Sequence, residues 1–317
     1  MYEIALSVSA CLRAGTRVDV AWVVESHGFS ARDKSEALAI TPGGGRVGSA
    51  MSGSLDEQLA ELADRGRTGV LVDLHVGDLE AELAGLSCGG DARCLVVPAA
   101  DLPADLWERM RERDPVCLVT RLDGDRVVET AMYGPDTVAD AGEETAGLFG
   151  KGVSDTVVSP DGATVTTVLW PVPKLLIVGA GAVADALTRA ADLLDWHTQV
   201  ANEPGIATGV IAGLAVLDKV VVTSHDVEVA GPALEAALAS PVGYIGALGS
   251  RRTQQARADW LAYRGVTDLT RVHGPAGLDI GASTPAEIAV SILAEALAVK
   301  AQASAGALRE KSGAIHG

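Results

Sequence analysis

Four turns in the second half of this sequence carry glycine, histidine and arginine in patterns suited to binding an anion. The first is Gly179-Ala-Gly181-Ala-Val-Ala184, which directly follows the apolar run Lys174–Val178. Its glycines permit a tight turn and a close backbone approach, and the N-terminus of the helix that follows favours an anion. The pattern is a dinucleotide-binding fingerprint with alanine in the third glycine's place. The alternative is that the glycines only pack this helix against a sheet.

A nicotinamide cofactor would also require a carboxylate about 20 residues further along the chain. Glu203 stands near that place, after the predicted strand Thr198–Ala201. Its neighbour Pro204 makes the match a poor one. NAD or NADP is therefore the second-ranked cofactor, and a nucleotide-dependent oxidoreductase is the rival interpretation from the sequence.

The second turn is Ser224-His225-Asp226, after the predicted strand Lys219–Thr223. A histidine at that place could hydrogen-bond a ligand or transfer a proton near neutral pH. Equally, His225 could close the loop with Asp226 as its partner.

The third turn, Gly249-Ser250-Arg251-Arg252, places a hydroxyl and two guanidinium groups at the start of a predicted helix. Arginine binds phosphate through paired hydrogen bonds, and the helix dipole adds to the attraction. The alternative is that both arginines form surface ion pairs, which an acidic protein readily offers.

The fourth turn runs from His273 to Gly281 and reads His-Gly-Pro-Ala-Gly-Leu-Asp-Ile-Gly, with Asp279 near its end. Three glycines and a proline in nine residues fix an unusual backbone path. Such a path either presents polar groups to a ligand or only turns a corner.

Alternating apolar and helical segments from residue 174 onward predict the scaffold that positions these turns. The predicted strands are Lys174–Val178, Thr198–Ala201, Lys219–Thr223 and Val242–Ile245, and the predicted helices include Val183–Leu194, Val229–Ala239 and Thr253–Tyr263. This alternation predicts a doubly wound parallel sheet covered on both faces. Because ligands bind at the carboxyl ends of such strands, all four turns are expected to converge on one edge.

The last helix has clear signals at its start. Thr284 is the predicted N-cap, with Pro285 at the first helical position and Glu287 at the third. The predicted buried stripe consists of Ile288, Ile292, Leu293, Ala296 and Leu297.

The first half of the chain predicts a smaller mixed α/β domain. Pro171-Val-Pro173 is a stiff break, which gives predicted domains at 1–170 and 174–303, followed by a flexible tail at 304–317. Pro42–Gly48 is a predicted glycine-rich turn. Ser54 is the predicted N-cap of a helix that ends at Arg65.

Composition excludes several classes of function. Forty-two acidic residues against 25 basic ones give a net charge of −17, which opposes binding to nucleic acid and to anionic lipid. We find no apolar run long enough to span a membrane and no signal-peptide pattern, so a cytoplasmic location is expected. The four cysteines form no CxxC pair and the six histidines no HxxxH, so no dedicated metal site is expected.

The carboxyl-terminal motifs resemble the XdhC/CoxI family. The resemblance rests on Tyr244–Arg252, His273–Gly281 and Thr284–Glu295, and it extends over roughly residues 175–300, with Ser224-His225-Asp226 in place of a Thr-His-Asp element. The resemblance implies an N-terminal XdhC/CoxI domain followed by a Rossmann-like domain. It also implies an accessory protein that binds molybdenum cofactor and helps mature xanthine dehydrogenase and carbon monoxide dehydrogenase type enzymes.

The amino-terminal half departs from the pattern of this family. The family's Gly-Ser-Xaa-Pro-Arg element reads Gly28-Phe-Ser-Ala-Arg32 here, and Gly-Ser-Xaa-Ser-Gly-Gly-Cys-Val-Glu reads Gly48-Ser-Ala-Met-Ser-Gly-Ser-Leu-Asp56. Ser54 therefore stands where a cysteine is expected. A hydroxyl is a much poorer ligand for a soft metal than a thiolate, so any sulfur chemistry of that cysteine is lost or altered. A third interpretation follows, in which this chain is a degenerate paralog that acts only as an interaction scaffold.

On this resemblance we expect a non-catalytic cofactor chaperone that works as a homodimer. The expected partners are an apo molybdenum hydroxylase and, as a further candidate, a cysteine desulfurase. The expected cofactor-binding residues are Gly179, Gly181, His225, Asp226, Gly249, Ser250, Arg251, Arg252, His273 and Asp279. No catalytic residue and no metal ligand is expected.

Overall fold

The computed structural model describes residues 1–29, 35–86 and 88–310 of the chain, which divides into two compact units, 1–171 and 172–317. Part of the predicted tail, 311–317, lies outside the described residues, so its flexibility stays a prediction. Both units combine helices with a sheet, and the second sheet is parallel, which confirms the predicted α/β fold class.

The first unit is built on an antiparallel sheet. Its elements in chain order are α1 (Ala5–Arg13), β1 (Asp19–His27), β2 (Leu38–Thr41), β3 (Gly45–Gly48), α2 (Asp56–Asp64), β4 (Val70–Val76), α3 (Asp78–Leu83), β5 (Gly90–Pro98), α4 (Leu106–Arg111), β6 (Val116–Asp123), β7 (Arg126–Tyr133), α5 (Glu143–Gly150), β8 (Asp155–Val158) and β9 (Thr164–Leu169). The strand order, as far as the structure describes it, is β3-β2-β1-β5-β4-β7-β6-β9-β8. The Trp22 indole on β1 donates to the Thr167 hydroxyl on β9 at 3.1 Å. Because these strands are far apart in the sheet order, the sheet must curl around the core.

The glycine-rich segment that the sequence predicts as a turn contains more structure than expected. Residues 38–41 and 45–48 form a β-hairpin, and only the residues between them turn. Gly43 and Gly44 have φ near +89° and +88°, which a residue with a side chain rarely adopts. The strand β3 was missed because Gly-Arg-Val-Gly has little β propensity of its own.

The predicted cap at Ser54 is wrong. Helix α2 has Leu55 at its N-cap position, and the Ser54 hydroxyl donates instead to the Met51 carbonyl at 2.8 Å. The Asp56 carboxylate accepts from the Ala50 amide at 2.9 Å, so a side chain inside the helix fixes this loop. Ser54 does not occupy the N-cap position because residues 51–53 all have positive φ and turn the chain just before the helix.

The second unit is a parallel sheet between two layers of helices. Its elements are β10 (Lys174–Val178), α6 (Ala182–Asp192), β11 (His197–Ala201), α7 (Pro204–Ile211), β12 (Lys219–Val222), α8 (Val227–Ala239), β13 (Tyr244–Ala247), α9 (Arg251–Tyr263), β14 (Val272–His273) and α10 (Pro285–Lys300). The strand order is β11-β10-β12-β13-β14. One buried core joins this sheet to α7, α8 and α9, and the other joins it to α6 and α10.

Most of the predicted elements of this unit are present. The capping box of α10 is confirmed: Thr284 accepts from the Glu287 amide at 3.3 Å, and Glu287 accepts from the Thr284 amide at 2.8 Å. Leu297, however, is 40% exposed and does not belong to the buried stripe. Helix α7 was not predicted; Pro204 occupies its first turn and begins the helix.

Candidate functional site

The strand order of the second unit reverses between two neighbouring strands of its sheet. The chain passes from β10 outward to β11 and then returns to β12 on the other side of β10. In doubly wound sheets, ligands bind where the order reverses, outside the carboxyl ends of the two strands concerned. Here those strands are β10 and β12, which end at the Gly179 turn and the Ser224-His225-Asp226 turn.

Gly179 and Gly181 have different roles in the first turn. A Cβ atom on Gly179 would lie 2.5 Å from the Ser224 nitrogen and 2.5 Å from the Thr223 hydroxyl, so no side chain fits there. Gly179 therefore allows the first two turns to touch. Gly181 has φ of +106°, open space around it, and the N-cap position of α6. The first turn, after β10, and the second turn, after β12, thus meet beside the N-terminus of α6, which is open to solvent.

The second turn exposes His225 and uses Asp226 as a helix cap. The Asp226 carboxylate accepts from the Glu228 amide at 2.9 Å at the start of α8. No hydrogen bond joins it to His225 among the described residues. The imidazole is therefore free to meet a ligand, and Asp226 is held by its own helix.

In the third turn the Ser250 hydroxyl caps a helix, whereas the two arginine side chains are exposed. The Ser250 hydroxyl caps α9, accepting from the Thr253 amide at 3.3 Å, and Gly249 has φ of +134° beside the Thr253 side chain. Arg251 and Arg252 are both exposed, and neither has an ion-pair partner in the described part of the chain. Arg251 alone of the two lines a groove of about 340 Å³ that also contacts Gly274.

The fourth turn is held by a carboxylate that the sequence analysis did not single out. Glu295, on α10, accepts from the Tyr244 hydroxyl at 2.6 Å, from the Gly277 amide at 2.8 Å and from His273 Nδ1 at 3.2 Å. The Tyr244 and His273 rings lie 5.0 Å apart. Burial, and then the bond to Glu295, raise the pKa of the Tyr244 phenol. These contacts fix the imidazole and leave its Nε2 atom without a partner among the described residues. Asp279 is exposed further along the turn.

The structure also reveals a buried arginine that ties the turns together. Arg257 on α9 is only 2% exposed. Its guanidinium donates to the Ser224 carbonyl at 2.7 Å, to the Leu248 carbonyl at 2.8 Å and to the Gln254 side chain at 3.1 Å. Gln254 in turn donates to the Ala247 carbonyl at 2.8 Å. The second and third turns are therefore joined through one side chain.

One sequence signal could have revealed Arg257. In α9 it stands four residues before the buried Leu261, so it shares the apolar face of the helix. A charged residue on that face is rarely fully buried unless it has partners. Its partners are backbone carbonyls, which no sequence pattern marks.

The structure brings all four turns to one edge of the sheet in the order of the strands. Gly179 touches Ser224, Arg257 joins Ser224 to Leu248, and the Ala276 amide donates to the Ala247 carbonyl at 3.0 Å. Adjacent strands are about 4.8 Å apart, so the edge from β10 to β14 spans about 14 Å. Glu203 is exposed beyond β11, at the other side of β10.

Two further findings bear on what this chain can bind. The part of the chain that the structure describes contains no group of three or more His, Cys, Asp or Glu side chains able to hold a metal ion. Within that part, no helix is both long enough and apolar enough to cross a bilayer.

The amino-terminal motif consists of two elements, Gly28–Arg32 and Gly48–Asp56. Ser30, Ala31 and Arg32 of the Gly28–Arg32 element lie outside the described residues. In the second element, Met51 and Ser52 have φ of +51° and +54°, in the left-handed region that favours glycine.

These features define a doubly wound parallel α/β domain with four glycine-containing or polar turns at the carboxyl edge of its sheet. Residues 175–296 match the family described as the XdhC Rossmann domain. The second unit therefore contains a domain of the XdhC Rossmann type, as the carboxyl-terminal motifs predict.

The proteins to which this chain is similar include one bacterial protein and one solved structure. The uncharacterized protein YqeB of Escherichia coli (strain K12) is 32% identical over 164 residues, which cover 44% of this chain and 30% of the relative. This chain thus spans about a third of the length of that relative. A crystal structure described as a xanthine dehydrogenase from Bacillus halodurans is 19% identical, with 96% of this chain and 97% of that chain covered and a TM-score of 0.47.

Proposed function

We propose that this chain is a non-catalytic accessory protein that binds molybdenum cofactor and assists its maturation or insertion into a molybdenum hydroxylase. The observation that carries the proposal is an XdhC Rossmann domain whose ligand edge is rich in hydrogen-bond donors. Its partner would be an apo-enzyme of the xanthine dehydrogenase or carbon monoxide dehydrogenase type, with a cysteine desulfurase as a further candidate. The protein would work in the cytoplasm as a homodimer.

The donor set fits the phosphate group of the cofactor. Gly181 leaves the N-terminus of α6 open, and Arg251 carries a charge that no described carboxylate compensates. Helix N-termini and guanidinium groups are the donors that proteins use for phosphate. His225 and His273 would face the rest of the cofactor, which supplies the metal and the pterin when bound. The residues present would hold the anion, without a metal-ligand cluster among the described side chains.

A nicotinamide-dependent oxidoreductase is the rival, and two observations weigh against it. The sheet has the order β11-β10-β12, whereas dinucleotide-binding domains place their third strand beyond the second. Glu203 occupies the N-cap position of α7 and makes no hydrogen bond through its side chain among the described residues. The open Gly181 turn remains compatible with any phosphate ligand.

Binding of isolated cofactor tests the proposal directly. Purified protein incubated with isolated molybdenum cofactor should retain near-stoichiometric pterin, measured by fluorescence after oxidation. NAD and NADP should give no tight binding by calorimetry. Absence of bound pterin together with micromolar binding of NAD would reverse the ranking.

Arg251 and Arg252 give a matched pair for the same assay. Arg251→Ala should weaken cofactor binding by roughly 10- to 150-fold, because a hydrogen bond to a charged group contributes about 1.5–3 kcal/mol. Arg252→Ala should bind nearly as the wild type does, since Arg252 is exposed and does not line the groove that Arg251 lines. Equal binding by both folded variants would place the phosphate away from this turn.

A further inference from the structure

The carbonyl groups that Arg257 holds determine where two backbone amides point. In a trans peptide unit the carbonyl and the amide point in opposite directions. Arg257 draws the Ser224 and Leu248 carbonyls inward, so the amides of His225 and Gly249 point away from the guanidinium. Neither amide donates to any acceptor in the described part of the chain. Two unpaired donors therefore stand side by side at the ligand edge.

The two amides belong to peptide units on neighbouring turns. Val222 is paired to Ala247, so these turns begin at the same level of the adjacent strands β12 and β13, and the Ser224 and Leu248 carbonyls both accept from the guanidinium of Arg257. Because adjacent strands are about 4.8 Å apart, we infer that one phosphate group can accept from both amides.

The charge of Arg257 is not compensated by a carboxylate. None of the described acidic side chains lies within ion-pair distance, and its buried Nε atom has no hydrogen-bond partner. A buried cation without a counter-ion is costly, and an anion placed nearby lowers that cost. The cation sits at the carbonyl end of both peptide dipoles, so it makes their amide ends more attractive to an anion.

We propose that Arg257 is a positioning residue that organises the His225 and Gly249 amides into a binding site for a phosphate group. It does so from behind the two turns, without touching the ligand. This inference rests on the proposed function only in identifying the phosphate as that of molybdenum cofactor. The site itself would accept any ligand that presents a phosphate of that size.

The matched control is Arg271, at the opposite end of the same sheet. Its guanidinium, like that of Arg257, donates to backbone carbonyls, here the three of Leu238, Ser240 and Val242. Val242 precedes β13 and Arg271 precedes β14, so these hydrogen bonds lie at the amino ends of the strands, away from the four turns. It should contribute to stability and not to anion binding.

The test is titration of the full chain with inorganic pyrophosphate and, separately, with isolated molybdenum cofactor. In the wild type, the amide resonances of His225 and Gly249 should shift with pyrophosphate in proton–nitrogen NMR spectra. Arg257→Met should weaken pyrophosphate binding by about tenfold or more, and Arg257→Lys should restore part of it because lysine keeps the charge. Arg271→Met should bind as the wild type does, even if its unfolding midpoint falls.

The outcomes separate this inference from the proposed function. Unmoved His225 and Gly249 amides, or a folded Arg257→Met variant with wild-type affinity, would overturn the inference. If Arg257→Met does not fold, Arg257→Lys and the wild-type amide shifts decide the matter. Failure to retain cofactor while pyrophosphate still shifts both amides would overturn the proposed function and support the inference. Retention of cofactor with both amides unmoved would do the reverse.

Discussion

Glu295 illustrates how one acceptor can organise a turn at the level of single residues. Its carboxylate serves three donors, which come from β13, from the end of β14 and from the turn that follows. Removing an acceptor leaves every one of its buried donors unpaired, whereas removing a donor leaves a carboxylate that still has other partners. The two sides of the network are therefore not equivalent.

We predict that Glu295→Leu costs more stability than Tyr244→Phe. Leucine offers no acceptor, so the Tyr244 hydroxyl and the Gly277 amide both lose their partner, at a cost of about 1–3 kcal/mol each. Tyr244→Phe removes a single hydroxyl and should cost about 0.5–1.5 kcal/mol. Urea unfolding of the two variants measures both values. An equal or larger loss of unfolding free energy for Tyr244→Phe would mean that the Tyr244 hydroxyl, and not the Glu295 carboxylate, contributes most to this network.

Helix α10 gives a prediction at the scale of one element. The Glu287 carboxylate accepts hydrogen bonds from the Thr284 and Ser283 amides, and these hold its pKa at about 2, below its ordinary value of 4.5. Because the folded state lowers this pKa, the hydrogen bonds stabilise the protein above pH 4.5. That contribution is lost as the pH falls towards 2.

We therefore expect Glu287→Gln to be less stable than the wild type near neutral pH, with the difference shrinking through the acid range. Melting temperatures measured from pH 7 down to the acid limit of reversibility would show the two curves converge. Glu144→Gln is the control, since Glu144 lies in the first turn of α5 and makes no hydrogen bond with the described residues. A difference from wild type that is independent of pH would contradict the prediction.

The elements of the second unit were predictable where local signals agree with the fold. Leu175–Val178 is apolar throughout and is followed by glycine, and Thr284, Pro285 and Glu287 form a complete helix start. Helix α7 was not predicted from Pro204, because a proline can either end one helix or begin another. Which of these it does depends on the preceding residue's conformation, which the sequence does not display.

The candidate site was predictable only in part, for a physical reason. The four turns are visible as clusters of glycine, histidine and arginine, and the strand order then brings them to one edge. Arg257 and Glu295 act through backbone groups of distant segments, Ser224 and Gly277 among them. Such pairings depend on tertiary structure. The sequence therefore predicts a binding role for the exposed Arg251 and Arg252 and gives no indication of the buried Arg257.

At the scale of the whole molecule, each unit has hydrophobic cores of its own. In the first unit, buried residues such as Leu118 pack between the sheet and its helices. In the second unit, Leu187 on α6 belongs to the core shared with α10. Complete cores of this kind are what allow domains to unfold as separate cooperative units.

The last prediction is that scanning calorimetry resolves two unfolding transitions, one for each unit. Leu187→Ala removes a fully buried side chain, at a cost of about 2–5 kcal/mol, and should lower one midpoint by at least about 4 °C. Leu193→Ala removes one that is 85% exposed at the end of the same helix and should move neither midpoint. Leu118→Ala should lower the other transition alone, and bound molybdenum cofactor should raise the transition that Leu187→Ala lowers. A single transition that all these changes move together would mean that the two units unfold as one.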